Sequence, residues 1–166
     1  LRDAGRWTAV VNTLPTYLDR DGLAHYFPPR PDEAALGSDR LTAYILAASH
    51  EAGLTLPAPV RERMLEGLTA FVEGRIERRF WSPKADGDVR KLAALEALSR
   101  HGRAQPRMLG SLAITPAQWP TAAVIDWVML LQRLQTVPDR ARRLDEARQV
   151  LRSRLNVGGT TLRFTT

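Results

Sequence analysis

The sequence contains no cysteine. Disulfides, thiolate metal sites and a cysteine nucleophile are therefore excluded from this stretch. Lysine is nearly absent too: Lys84 and Lys91 are the only two, so 22 of the 24 basic residues are arginine. No apolar run approaches the roughly 18 residues a membrane-spanning helix needs, and no signal peptide is visible. The glycine-rich phosphate loops of nucleotide-binding folds are missing. So is the G-x-S-x-G elbow of serine hydrolases; Ser38, Ser99, Ser111 and Ser153 read as caps or surface residues. The histidines His25, His50 and His101 lie far apart, and His50-Glu51 lacks the second histidine of a zincin. No catalytic, metal or cofactor site is expected from these residues.

What is present suits a packed domain. The 166 residues are 44% hydrophobic and 25% charged, with a formal net charge of +6. Such a composition supports a core and argues against disorder. The apolar spacing is helical nearly throughout. Trp7, Val10, Val11, Leu14 and Leu18 make one stripe over about residues 4–18, with Pro15 expected to kink or shorten its end. Residues 27–37, FPPRPDEAALG, read as an ordered loop. Ser38 is placed to cap a second helix that Gly53 ends. Pro59 opens a third helix, expected to reach Arg79, with Phe80, Trp81 and Pro83 at its exit. Asp86 or Asp88 is positioned to cap a fourth, which Gly102 ends. A short helix follows from Pro106 to Leu112. The segment from Thr121 to Leu134 is apolar around most of its circumference and is expected to be buried on most sides. A last helix runs from Pro138 to about Leu155. Thr160 to Thr166 then alternate with β propensity and predict one lone strand.

The expected fold class is all-α: helical hairpins and one short C-terminal strand. Residues 1–159 form the helical part. Residues 160–166 form a strand whose natural partner would lie in a neighbouring domain. The chain starts on Leu1 and enters helix-like sequence almost at once, so it is read as a piece of something longer.

Two charge features stand out. From Arg133 to Arg154 there are seven arginines against Asp139, Asp145 and Glu146, a local excess of four. A nucleic-acid or anionic surface is one reading. The helical spacing with leucines inward, and the lack of interleaved aromatics, favour a solvated helix face. Among the acids, Asp21, Asp39 and Asp126 lie in apolar or aromatic surroundings. An α/α-toroid glycosidase or cyclase would use such carboxylates. Asp126, beside Trp127 in the most apolar helix, is the least easily explained, and an ion pair with one of the arginines is the expectation.

Several strings resemble one family: PTYLDRDGLAHYFP (15–28), GSDRLTAYILAASHEAG (37–53), RMLEGLTAFVEGRIERRFW (63–81), RKLAALEALSRHG (90–102), WPTAAVIDWVMLLQRL (119–134) and ARQVLRSRLNVGGTTLRFTT (147–166). They resemble the thioester-type helical domain of the bacterial alpha-2-macroglobulin family. The DG-L turn, followed by a loop and LTAYILAASHEAG, is similar to that family's DGGF…LTAYV helix pair. The resemblance implies a partial α/α toroid in a large periplasmic protease inhibitor that traps proteases after bait cleavage. It implies no enzyme activity and no cofactor. Its partners would be neighbouring domains of the parent and, through the full-length protein, target proteases. Contact with a membrane would come only through an anchor elsewhere in the parent, and no nucleic-acid partner is implied. The family's thioester joins a cysteine to a glutamine, and no cysteine is present. Either that motif lies upstream of Leu1 or the parent belongs to the thioester-less subclass, which the GSD-LTAY wording favours. Complement-like members carry a histidine in the loop before LTAY. The matching loop 27–37 has none, and His25 is offset, so the role is not carried over. A partial toroid would also leave apolar helix faces uncovered.

Overall fold

A computed structural model of the chain describes residues 2–29, 36–78, 84–158 and 161–164. Residues 30–35 of the expected loop lie outside the described residues, as do Arg79, Phe80, Trp81 and Pro83 at the expected exit of the third helix. The fold is all-α: α1 (Arg2–Thr13), α2 (Asp39–Glu51), α3 (Ala58–Val72), α4 (Lys84–Arg100), α5 (Thr121–Arg133) and α6 (Arg140–Ser153), followed by β1 (Leu155–Gly158) and β2 (Thr161–Phe164). The chain divides into two compact units, Leu1–Trp81 and Ser82–Thr166. The division falls inside the span 1–159 that the sequence presents as one helical domain.

In the first unit, Pro15 acts as its ring dictates. The α1 pattern stops at Thr13 and continues only as a 3-10 turn, Leu14–Tyr17. Ser38 caps α2, its hydroxyl accepting from the Leu41 amide at 3.2 Å. Gly53 ends α2 with φ of 65°. The Gly53 amide donates to the His50 carbonyl and Leu54 to Ser49, the two bonds of a Schellman motif. The same pair of bonds closes α3 at Gly74 and α4 at Gly102. The third helix is therefore shorter than its apolar spacing predicts. Gly74, at φ of 74°, turns the chain after Val72, well before Arg79. Pro59 sits at the second position of α3, where its missing amide is harmless. The core of this unit is Leu18, Leu23, Leu46, Met64, Leu68 and Val72.

Gly67 shows how α3 supports the turn at residues 19–24. A Cβ at Gly67 would fall on the Asp21 carbonyl oxygen, and one at Gly22 on the Arg63 carbonyl oxygen. The loop backbone thus rests directly on α3. Gly67→Ala raises helix propensity by about 1 kcal/mol, yet the backbone collision costs more, of order 1–3 kcal/mol as overpacking. The expected net result is destabilisation. Gly87→Ala in α4 meets nothing within 4 Å and should stabilise by about 0.5–1 kcal/mol. Urea midpoints of the two variants should move in opposite directions. A stabilised Gly67→Ala would show that the turn does not rest on α3.

In the second unit α4 packs on α5 and α5 on α6. Leu92, Leu95, Leu98, Val124, Trp127, Leu130, Leu131 and Ala147 are buried. Four details differ from the sequence reading. The fourth helix begins at Lys84, so Asp86 lies in its first turn, where it meets the helix dipole, and neither Asp86 nor Asp88 is the cap. Residues 106–111 form a 3-10 turn. The apolar α5 buries one face only: Ala122 and Ile125 are exposed, because α4 and α6 cover just the side carrying Trp127 and Leu131. The last helix starts at Arg140, since Pro138 sits in a turn and Asp139 is left-handed at φ of 53°.

The C-terminal strand is not alone. Thr161–Phe164 pairs antiparallel with Leu155–Gly158, in the register Leu155↔Phe164 to Gly158↔Thr161. Asn156 and Gly158 lie inside the first strand, opposite Arg163 and Thr161 of the second. The partner of the C-terminal strand is therefore within this chain.

Candidate functional site

The most organised polar site in the first unit is built on Asp19, which the sequence does not single out. The side chain is 3% exposed. One carboxylate oxygen accepts from the Asp21 and Leu23 amides, both at 2.9 Å. The other accepts from the Gly37 amide at 2.8 Å and from Arg78 Nη2 at 2.6 Å. Arg78, 4% exposed, also donates to Asp21 Oδ2 at 2.7 Å and through Nε to the Gly37 carbonyl at 2.9 Å. Arg63 donates to the Asp19 carbonyl at 2.9 Å. Burial by itself would raise the Asp19 pKa. The amides of Leu23 and Gly37, with the Arg78 guanidinium, outweigh it and hold the carboxyl below its usual value.

This cluster clasps both ends of the loop that runs from Ala24 to Gly37. Ala24 bridges to Leu18 and to Ser38, and its amide donates to Thr42 Oγ1 at 2.8 Å. Beyond the clasp Tyr26 and Phe27 stand in solvent, 64% and 81% exposed. The DG-L turn and the GSDRLT helix start are thus one structure, joined through Asp19.

The acids expected from the sequence fall as follows. Asp21 is held by Arg78 in the clasp. Asp39 is fully buried in the first turn of α2. Asp126 sits half-buried on α5 and makes no ion pair among the described residues. The expected arginine pairing is made instead by Glu96 of α4, a residue the sequence did not flag. Its carboxylate accepts from Arg100 Nε at 2.8 and 3.0 Å and from Arg133 Nη1 at 2.8 Å. His25 lies half-buried at the start of the loop, His50 is exposed in the last turn of α2, and His101 is half-buried at the end of α4. No group of three possible metal ligands occurs among the described residues.

Among the described residues, each unit has a hollow on its surface. An apolar groove of about 330 Å³ in the first unit is lined by Trp7, Val10 and Leu14 of the N-terminal segment and by Tyr44, Ile45 and Ala48 of α2. A second hollow, of about 350 Å³, lies between Asp86, Asp88 and Trp119. Neither is lined by Asp21, Asp39 or Asp126. Among the described residues no helix is long and apolar enough to cross a membrane.

The class that the structure defines is an all-α protein whose loop is clasped by a buried Asp–Arg pair. No protein-family model matches the chain, and neither a curated protein nor a solved structure matches it.

Proposed function

We propose that the chain is part of the thioester-type helical domain of a bacterial alpha-2-macroglobulin-like protease inhibitor. In this reading it contributes packing and movement, with no catalytic step of its own. The parent works in the periplasm and traps a protease after its bait is cut. One observation carries the proposal. The DG-L turn and the LTAY helix, the strings with the most specific resemblance, meet in space through Asp19, Ala24, Ser38 and Thr42. The strings that the resemblance groups together are thus also joined in the fold. The apolar groove beside Tyr44 also suits a helical domain that packs against further elements. The GSD-LTAY wording supports the thioester-less subclass.

The test uses the parent protein. Incubated with a protease that cuts its bait, it should hold the enzyme so that small peptides are still cleaved and large substrates are not. The chain alone should show no stoichiometric inhibition. A parent without flanking β-sandwich domains, or one that leaves large-substrate cleavage intact after bait cutting, rules the reading out.

A further inference from the structure

We propose that the first unit docks on a second copy of this chain, the apolar loop 24–37 of each copy seating in the α1–α2 groove of the other. Large apolar side chains in solvent are concentrated in this unit. Val10, Tyr26, Phe27, Leu36, Tyr44 and Leu54 belong to it, against Ile125 in the second unit. They fall into two complementary sets. Val10, Tyr44 and Leu54 line the groove. Tyr26, Phe27 and Leu36 belong to the loop. The Ala24↔Ser38 bridge makes the two loop stems antiparallel, so Tyr26 and Leu36 take matching positions two residues beyond it, with Phe27 next along.

The groove calls for an apolar occupant. Trp7 Nε1 donates to the Thr55 carbonyl at 3.3 Å, and Ser49 Oγ to the Leu46 carbonyl at 3.2 Å. Both polar groups are thus satisfied within the chain, which leaves the Tyr44 hydroxyl as the one open polar group of the wall. A volume of about 330 Å³ lies at the small end of the range for binding pockets and suits one or two inserted side chains. Phe27 does not fill the groove of its own copy, since it is 81% exposed. The Asp19–Arg78 clasp and the Ala24 bridge already hold both ends of the loop, so docking orders less backbone.

The area suffices when the exchange is reciprocal, as a two-fold pair makes it. Tyr26, Phe27 and Tyr44 are 64%, 81% and 69% exposed. At roughly 200 Å² for each aromatic residue they offer about 400 Å² per copy, hence about 800 Å² in the pair. Val10, Leu36 and Leu54, 41–55% exposed, raise the total above the roughly 1,000 Å² of a specific interface. The inference is independent of the inhibitor reading, because it uses only the surface of the first unit.

Sedimentation velocity of the intact chain should show a monomer–dimer equilibrium with a micromolar Kd. Phe27→Ser removes the projection, and Tyr44→Glu puts a charge on the groove wall. Both residues are exposed, so urea midpoints should not move, while each change weakens dimerisation at least about tenfold. The two variants are then mixed, one of them isotopically heavy, and the dimers counted by native mass spectrometry. Phe27→Ser keeps its groove and Tyr44→Glu keeps its loop, so the mixed dimer retains one intact contact and neither homodimer retains any. The mixed dimer should therefore predominate. A statistical mixture would mean that loop and groove do not meet, and it overturns the proposal. So does a chain that stays monomeric at about 1 mM, whatever else it binds beside Tyr44.

Discussion

Asp19→Ala should cost the first unit about 3–5 kcal/mol, the usual loss when one partner of a buried ion pair is removed. The substitution strands more than a charge. The amides of Asp21, Leu23 and Gly37 lose their acceptor, and Arg78 loses its buried carboxylate partner while keeping the partly exposed Asp21 and the Gly37 carbonyl. Asp19→Asn should be nearly as damaging, because its amide nitrogen would face N–H donors at one of the two oxygen positions. Asp19→Ala combined with Arg78→Leu should lose clearly less than the two single changes added together, since the uncompensated charge disappears with its partner. Urea unfolding, with amide exchange in α2 and α3 as the local readout, measures each corner of the cycle. A loss below about 1 kcal/mol for Asp19→Ala would be typical of an exposed ion pair and would sink the clasp. Since the Asp19 pKa is lowered, its stabilisation is present above about 3.9 and fades as pH falls through the lower folded value.

Trp127→Ala should cost a similar amount in the second unit, about 3–5 kcal/mol for a truncated buried tryptophan. Trp127 is fully buried among α4, α5 and α6 residues and meets Trp119 edge to face, with ring centroids 6.1 Å apart at 83°. Its indole Nε1 has no hydrogen-bond partner among the described residues. A buried donor without an acceptor costs about 1–3 kcal/mol, so Trp127 contributes less than its volume promises. Trp127→Phe keeps the ring against Trp119 and drops the orphan N–H. It should lose clearly less than Ala, because the cavity it leaves is smaller and the unsatisfied donor is gone. Near-UV circular dichroism of Trp119 and urea midpoints report both variants. If Phe proved as harmful as Ala, the packing account of this residue would be wrong.

The particular residues show which signals are local. Ser38, Gly53 and Gly102 were legible because a cap or a C-terminal glycine acts on atoms within one helical turn. Pro15 was legible for the same reason. Gly74 was missed because Ile76 continues the apolar spacing past the point where the backbone turns. The hairpin was missed because the apolar spacing carries the last helix to Leu155, the residue at which the first strand begins. At the candidate site, Asp21 drew notice as an acid in apolar or aromatic surroundings, while Asp19 did not. The residue that explains Asp19 is Arg78, 59 positions away. The arginine pair expected at Asp126 formed at Glu96 instead. Charge composition can say that a partner is available but cannot say which acid lies within its reach.

The sequence by itself determined the all-α class, most helix ends and the absence of any cysteine chemistry within these residues. Those properties follow from periodicity, capping and residue chemistry, which operate over a few ångströms along the chain. Only the tertiary structure decided that Asp19 and Arg78 clasp the loop, that Glu96 takes both Arg100 and Arg133, and that Asp126 makes no ion pair among the described residues. A buried charge has no fixed role until folding selects its neighbours, and that selection is made through space.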